Sequence, residues 1–245
     1  MNVVEPIFQG AKPSCRKFDT QIERLYSRPV GAEWMGLAGS GSGRAIMINT
    51  LFPDFLYTGK MPNHEHLKER FMQGLEIAKF PETNWDCNVE TTFKQPYTET
   101  MDIFPWEEYF AGVSQNIAQM AQEFGSPPLQ TKPNGAWVNL YRNGQFQERH
   151  GHVDRFTTCS AIYFVNYDHQ QDARVSFRNP NADNYVYSNF AAFLPHSLEW
   201  YFPAVEEGDV IIFPGFLEHS VSKQSVDRIR LTVSCNYSVL PMEQE

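Results

Sequence analysis

The sequence predicts a mainly β protein with flanking helices, in which antiparallel sheets form a sandwich or barrel. After residue 130, six short segments have strand-like patterns, and turn residues rather than helices separate them. Before residue 130, the apolar residues instead recur at helical spacing. Because no internal repeat or linker interrupts the chain, we expect a single domain over residues 1–245, with helical and irregular support in 1–130 and a β core in 131–240.

The two clearest helices are predicted in the first half of the chain. Between residues 64 and 80 the apolar residues are spaced by four, four and three, with Asn63 placed to cap the helix and Pro81 to end it. Between residues 106 and 124 the spacing alternates between four and three, and Gly125 follows directly. Both apolar stripes are typical of helices that pack on a sheet.

Two further features of the first half give weaker predictions. A shorter helix is expected around residues 16–28. The glycine-rich stretch 39–44 lacks the Gly-Lys-Ser/Thr ending of a phosphate-binding loop, so it is interpreted as a flexible surface loop.

The second half is interpreted as strands that surround one long insert. The insert, residues 179–203, is rich in aromatic residues and Asn, and its length predicts a functional segment or lid. The predicted strands are Ala136–Arg142, Thr157–Asn166, Ala173–Arg178, Asp209–Phe213, His219–Ser222 and Arg228–Tyr237.

Composition and charge narrow the classes of function. With 42% hydrophobic and 20% charged residues, the 245-residue chain matches packed globular proteins rather than disordered ones. Its net charge of −9 argues against indiscriminate binding to nucleic acid. The first residues lack a basic and apolar leader, and the four cysteines include no C-x-x-C pair. These features predict a cytoplasmic protein with reduced thiols, and no apolar run is long enough to predict a membrane span.

The candidate chemistry begins at His152-Val-Asp154. On a strand, residues two apart point to the same face, so the imidazole and the carboxylate can converge on one ion. Taken alone the spacing is weak evidence, because a chain of this composition contains a His-x-Asp/Glu sequence about once by chance.

A second histidine and an arginine strengthen the metal hypothesis. His219 follows an apolar strand that starts at a Gly-Asp turn, so it can supply a third ligand. Two imidazoles and one carboxylate on one side of an ion leave its other positions open, as in Fe(II) enzymes that also bind a cosubstrate and O₂. Nine residues later, Arg228 offers a guanidinium that can bind a carboxylate through two parallel hydrogen bonds. Arg230 shares the same strand face and is the alternative anchor.

In order and spacing, these residues resemble the Fe(II)/2-oxoglutarate-dependent oxygenases of the double-stranded β-helix, or jelly-roll, fold. The resemblance covers about residues 134–240. Residues 161–166 look like the strand that follows H-x-D in prolyl-hydroxylase-like members. The Trp137-Val-Asn139-Leu-Tyr141 strand is similar to the one that enters the site in the nucleic-acid demethylase branch. It also resembles uncharacterised microbial and phage oxygenases, many of which have His where this chain has Asp154.

The resemblance implies a non-haem dioxygenase that couples oxidative decarboxylation of 2-oxoglutarate to hydroxylation. Its cofactor is Fe(II), its cosubstrates are 2-oxoglutarate and O₂, and its substrate is an unidentified peptidyl residue or small molecule. The acidic net charge makes nucleic acid a less favoured substrate. The implied iron ligands are His152, Asp154 and His219, and the implied 2-oxoglutarate contacts are Arg228, Asn139 and Tyr141. From the residues alone, Asn139 and Tyr141 are equally well explained as a buried pair satisfied within the sheet.

Two other classes of protein remain as alternatives. The spacing Gly144-x₅-His150-x-His152 also fits the opening of a cupin signature, but Phe156 and Thr157 stand where that signature requires a glutamate. The other alternative is a metal-free β-sandwich binding module. In the oxygenase interpretation, His150 is either a substrate or supporting residue or, as we expect, a residue at the rim of the site.

Overall fold

Two antiparallel sheets organise the part of the chain that the computed structural model describes, residues 54–82, 87–189 and 199–241. These residues belong to one compact unit that spans residues 44–245. The predicted helix at 16–28, the glycine-rich stretch 39–44 and part of the predicted insert lie outside the described residues. The prediction of one domain over the whole chain therefore stays a prediction.

The two long helices precede β3, and most of the strands follow them in the chain. The strands are β1 (Tyr57–Lys60), β2 (Glu90–Thr91), β3 (Leu129–Tyr141), β4 (Gln147–His150), β5 (Cys159–Asn166), β6 (Val175–Arg178), β7 (Trp200–Tyr201), β8 (Asp209–Pro214), β9 (His219–Val221) and β10 (Arg230–Pro241). The helices are α1 (His64–Leu75), a 3-10 helix (Tyr97–Thr100), α2 (Trp106–Glu123) and α3 (Ala182–Tyr187).

The strands form two sheets, and most strands that are neighbours in a sheet are not consecutive in the chain. The larger sheet runs β1-β8-β5-β10-β3-β2 and the smaller one runs β4-β9-β6-β7. All the recorded strand pairs are antiparallel. The predicted class, mainly β with antiparallel sheets and few helices, is confirmed.

The first half contributes more than the predicted helical support. β1 and β2 form the two edges of the larger sheet, where β1 pairs with β8 and β2 pairs with β3. Neither segment was predicted to be a strand. Their four and two residues are too few to show an alternating pattern, so the neighbouring long strands decide their conformation.

Helix α2 forms as predicted and packs its apolar stripe on the larger sheet. Its buried residues include Trp106, Tyr109, Val113 and Ile117. The helix ends where Gly125 adopts a left-handed conformation with φ 65°. The amides of Gly125 and the next residue donate to carbonyls of the last turn, the pattern that a C-terminal glycine allows.

Helix α1 is shorter than predicted. It ends at Leu75 rather than continuing to residue 80, and Ile77 is exposed. The residue before a proline disfavours helical dihedrals, so Pro81 keeps Phe80 out of a helix. At the other end, Asn63 occupies the N-cap position in a left-handed conformation, but its side chain makes no capping hydrogen bond.

The register of the long strands positions the candidate site between the sheets. On β10 and β3, Arg230 is paired with Tyr141 and Thr232 with Asn139. On the smaller sheet, His219 is paired with His150. Since alternate residues of a strand share a face, these polar side chains face inward while their neighbours build the core beneath the helices. None of the described helices is long and apolar enough to cross a membrane.

Candidate active site

Three histidines converge in a pocket between the two sheets. One ligand nitrogen from each of His150, His152 and His219 lies within 4.8 Å of the other two. Two nitrogens bound to one ion at about 2.1 Å are at most ~4.2 Å apart, so small side-chain rotations bring all three onto an ion. The pocket is lined by Trp137, Asn139, Tyr141, Gln147, His150, His152, Ile162, His219, Val221, Arg230, Thr232 and Ser234.

Backbone carbonyls orient two of these imidazoles. His150 Nδ1 lies 2.8 Å from the carbonyl oxygen of Glu148, and His219 Nδ1 lies 3.1 Å from that of Leu217. A carbonyl oxygen can only accept, so each Nδ1 carries the proton and each Nε2 keeps its lone pair. This is the tautomer that a metal-binding histidine needs.

Burial favours the neutral form of two of the imidazoles, those of His152 and His219. It is the main cause that lowers the pKa of His152 to about 4, and the neighbouring His150 lowers it further. The pKa of His219 is also well below its usual value, first because the ring is buried and then because the other two imidazoles are close. Neutral imidazole is the form that binds a metal ion, so the site is ready for one at neutral pH.

The structure places Asp154 outside this cluster. Its Oδ1 accepts hydrogen bonds from the backbone amides of Phe156 (2.7 Å) and Thr157 (2.6 Å), and its Oδ2 accepts one from Thr157 Oγ1 at 2.8 Å. These donors, the Phe156 amide first, hold the pKa of the carboxyl below its ordinary value. Thus the structure brings His152 and His219 together as predicted for the ligand set, but with His150 rather than Asp154 as their neighbour.

Arg230, rather than the predicted Arg228, lines the pocket. Its side chain is buried, and its guanidinium carbon lies 4.6 Å from the centre of the Tyr141 ring. Two further rings, Tyr167 and Phe164, lie within 6 Å. Among the described residues, Nε and Nη1 of Arg230 have no hydrogen-bond partner. A buried guanidinium with free donors is costly unless an anion completes it, so the pocket favours a carboxylate ligand.

Arg228, the predicted anchor, has a different environment. Its Nη1 lies 2.5 Å from Oδ2 of Asp172, a buried carboxylate. Gln224 Nε2 donates to the other oxygen of Asp172 at 2.7 Å and to the Arg228 carbonyl at 3.3 Å. β10 begins two residues later than predicted, so Arg228 belongs to the turn that precedes the strand and to a structural ion pair.

Asn139 and Tyr141 both line the pocket, and both already have partners. Asn139 Nδ2 donates to Ser234 Oγ at 3.2 Å, while its Oδ1 accepts from Thr91 Oγ1 at 2.8 Å. The Tyr141 hydroxyl donates to Gln147 Oε1 at 2.6 Å. The two residues therefore have the positions expected for ligand contact and also the hydrogen bonds of a satisfied buried pair.

The sequence interpretation missed several polar groups of the pocket. Thr232 and Ser234 lie on the same face of β10 as Arg230, and Gln147 stands beside Tyr141. A signal for the first two was available, because they follow Arg230 at the period of two that strand residues on one face obey. Gln147 had no such signal, since its position depends on how β4 pairs with β9.

Comparison with known proteins agrees with this geometry. Residues 135–236, which span β3 to β10 and contain the imidazoles and Arg230, match a family described as "Putative 2OG-Fe(II) oxygenase". This segment belongs to the 2-oxoglutarate/Fe(II) oxygenase superfamily. Enzymes of this superfamily use Fe(II) as the metal, 2-oxoglutarate as the cosubstrate and O₂ as the oxidant. A search of curated proteins finds no significant match.

Solved oxygenase structures share the fold at low sequence identity. A prolyl hydroxylase from Trichoplax adhaerens, in complex with a hypoxia inducible factor peptide fragment, is 9% identical with a TM-score of 0.53, over 75% of this chain and 83% of that one. HygX from Streptomyces hygroscopicus, with nickel and 2-oxoglutarate bound, is 12% identical with a TM-score of 0.52, over 76% and 83%. The epimerase SnoN from nogalamycin biosynthesis is 16% identical with a TM-score of 0.52, over 75% and 77%. The oxygenase segment therefore has the double-stranded β-helix fold.

The donor atoms of the pocket fit the cofactor of the superfamily. Imidazole nitrogens suit Fe(II), and a facial set of three ligands leaves positions for a cosubstrate and O₂. On the larger sheet, the Arg230 nitrogens that have no partner among the residues the structure describes suit the far carboxylate of 2-oxoglutarate. The pocket thus offers metal ligands at one side and an anion-binding cation at the other.

Proposed function

We propose that this protein is a 2-oxoglutarate-dependent Fe(II) dioxygenase that hydroxylates its substrate. The observation that carries the proposal is the pairing, in one pocket, of neutral imidazoles with a buried arginine whose Nε and Nη1 lack partners among the described residues. A metal-binding protein without a cosubstrate has no use for that arginine. A binding module without a metal has no use for the imidazole cluster.

We propose His152 and His219 as two of the iron ligands and Asp154, by its H-x-D spacing, as the carboxylate ligand of the catalytic state. For Asp154 to reach the ion, the turn formed by residues 154–157 has to open, because its carboxylate now accepts three hydrogen bonds there. Imidazole and carboxylate ligands together match the facial set used by Fe(II) oxygenases.

For the cosubstrate we revise the anchor from Arg228 to Arg230. A guanidinium binds a carboxylate through two parallel hydrogen bonds, and the interaction is stronger where water is excluded. Arg230 is buried and two of its nitrogens have no partner among the described residues, whereas Arg228 is already paired with Asp172. Thr232 and Ser234, on the same strand face, add hydroxyl donors, and Asn139 and Tyr141 form the adjoining wall.

When bound, Fe(II) with 2-oxoglutarate and O₂ supplies the oxidising chemistry, in which the keto acid is decarboxylated to succinate and the substrate is hydroxylated. The chain's own residues position and shield that chemistry. Arg230 fixes the far end of the keto acid, so that its reactive end points at the imidazoles. Trp137, with its ring centre 5.4 Å from that of His152, and Phe213, at 5.0 Å from that of His219, keep water from the two imidazoles.

The substrate we propose is a peptidyl residue or a small molecule. Similar folds serve both classes, since one neighbour is a prolyl hydroxylase bound to a peptide and another is an epimerase of nogalamycin biosynthesis. The net charge of −9 makes nucleic acid a poorer candidate. Hydroxylation is proposed as the outcome because it is the direct result of oxidative attack on a C–H bond.

An anaerobic titration tests the proposal. Fe(II) and 2-oxoglutarate are added to the full chain while the weak visible charge-transfer band of the chelate is followed, and O₂ is then admitted and succinate is measured. We expect a band that requires both components and slow O₂-dependent succinate formation even without substrate. If metal binds but no band forms with 2-oxoglutarate, the protein is a metal-binding β-sandwich and the oxygenase proposal fails.

A further inference from the structure

The proposed ligand set leaves one imidazole of the cluster without a role. We propose that His150 is a metal ligand: with the turn at residues 154–157 closed, His150, His152 and His219 hold the ion, and Asp154 joins only when that turn opens. This inference rests on the proposed function and concerns the same site. It replaces the expectation that His150 lies at the rim.

The first argument is the position of the His150 ring. Its centre lies 4.3 Å from that of His219, closer than the 5.1 Å between His152 and His219. The two residues face each other across paired strands, since His150 on β4 is the register partner of His219 on β9. An imidazole that only borders a pocket has no reason to point into a cluster of two others.

The second argument is that His150 and His219 are oriented by the same device. In each case Nδ1 lies within hydrogen-bond distance of the carbonyl oxygen two residues earlier, that of Glu148 or Leu217. This bond fixes the proton on Nδ1 and turns Nε2, with its lone pair, away from the strand backbone. His219 is a ligand in the proposed function, and the His150 ring is oriented by the same type of hydrogen bond.

The third argument is that the carboxylate is held elsewhere. Asp154 accepts hydrogen bonds from two backbone amides and one hydroxyl, all within the segment Asp154–Thr157. Both carboxylate oxygens are engaged, so the bonds compete directly with metal coordination. Three neutral imidazoles leave a divalent ion with its full charge, whereas a carboxylate ligand lowers that charge by one. The closed-turn site therefore attracts the dianionic cosubstrate more strongly.

Metal binding by three variants of the full chain tests the inference. Co(II) titrations followed by visible absorption and calorimetry, without 2-oxoglutarate or O₂, compare His150→Gln, Asp154→Asn and the control His169→Ala, whose histidine is exposed outside the pocket. Asn at position 154 still accepts from the Phe156 and Thr157 amides, so the turn is preserved. We expect His150→Gln to weaken Co(II) binding at least ~10-fold and Asp154→Asn to weaken it less than His150→Gln does, while the control His169→Ala changes it less than ~3-fold.

A second measurement separates ligand loss from misfolding. X-ray absorption of the Co(II)-loaded wild type counts the imidazole ligands. We expect three imidazoles, whereas a site that uses only His152 and His219 would show two. Metal-free thermal unfolding of each variant verifies that the chain is folded. Retention of Co(II) by His150→Gln together with its loss in Asp154→Asn overturns the inference and leaves the proposed function intact. Failure of the wild type to bind Co(II) overturns both.

Discussion

Arg230 and Tyr141 are register partners on β10 and β3, and their side chains stack, with the guanidinium carbon 4.6 Å from the ring centre. The aromatic face stabilises the buried cation, while two of its nitrogens have no partner among the described residues. The guanidinium is therefore held in place before a ligand arrives. Such preorganisation reduces the entropy that is lost when an anion binds.

The first prediction concerns this arginine. Replacing Arg230 by Ala removes a buried charge-assisted pair with the cosubstrate, which costs about 2–4 kcal/mol, or roughly 30- to 1000-fold in 2-oxoglutarate affinity. Arg230→Lys keeps the charge but loses the fork and should recover only part of the affinity. The measurement is the concentration of 2-oxoglutarate that half-saturates the charge-transfer band, with Co(II) binding as the control for an intact metal site.

The second prediction concerns its neighbour Arg228. Arg228→Ala leaves the buried Asp172 carboxylate with hydrogen bonds from Gln224 and the Asp168 amide but without its cation. The free energy of unfolding should fall by about 1–3 kcal/mol, measured by urea denaturation, while 2-oxoglutarate affinity stays nearly unchanged. A larger loss of affinity in Arg228→Ala than in Arg230→Ala would restore Arg228 as the anchor.

A third prediction uses two adjacent buried threonines. Thr91 donates its hydroxyl to the Asn139 amide oxygen, whereas the Thr92 hydroxyl accepts from the backbone amide of Val138. Thr91→Val removes the hydrogen bond to Asn139 and the one that Thr91 Oγ1 accepts from the Phe93 amide, and Thr92→Val removes the hydroxyl acceptor of the Val138 amide. Each variant should lose about 1–3 kcal/mol of stability. Only Thr91→Val frees the Asn139 side chain in the pocket, and only that variant should weaken 2-oxoglutarate binding. Equal effects of the two variants on binding would show that Asn139 does not contact the cosubstrate.

The fourth prediction links metal to stability. A metal ion that binds only the folded chain at about 100 times its Kd adds about 2.7 kcal/mol to the free energy of unfolding. For a chain of this size that raises Tm by roughly 5–10 °C, and EDTA should reverse the shift. In His219→Ala, which removes a ligand at the centre of the cluster, the shift should disappear. A Co(II)-dependent increase in Tm that survives in His219→Ala would place the ion at another site.

The sequence by itself determined the local patterns. The alternating strands after residue 130 and the helical stripe of α2 depend on side-chain periodicity, which neighbouring residues alone encode. The H-x-D spacing and the distal His219 directed attention to the metal chemistry for the same reason. The sequence also marked Arg228 and Arg230 as candidates for the anchor, since they lie two residues apart.

Tertiary structure decided which of those candidates meet. β10 begins at Arg230, so Arg230 enters the pocket while Arg228 pairs with Asp172 from a distant turn. The β4–β9 pairing brings His150 opposite His219, 69 positions away in the chain. These outcomes depend on strand register, where a shift of one residue exchanges the two faces of a strand. Local sequence determines the period of a strand, whereas long-range pairing determines its register. The register therefore determines which side chains enter this site.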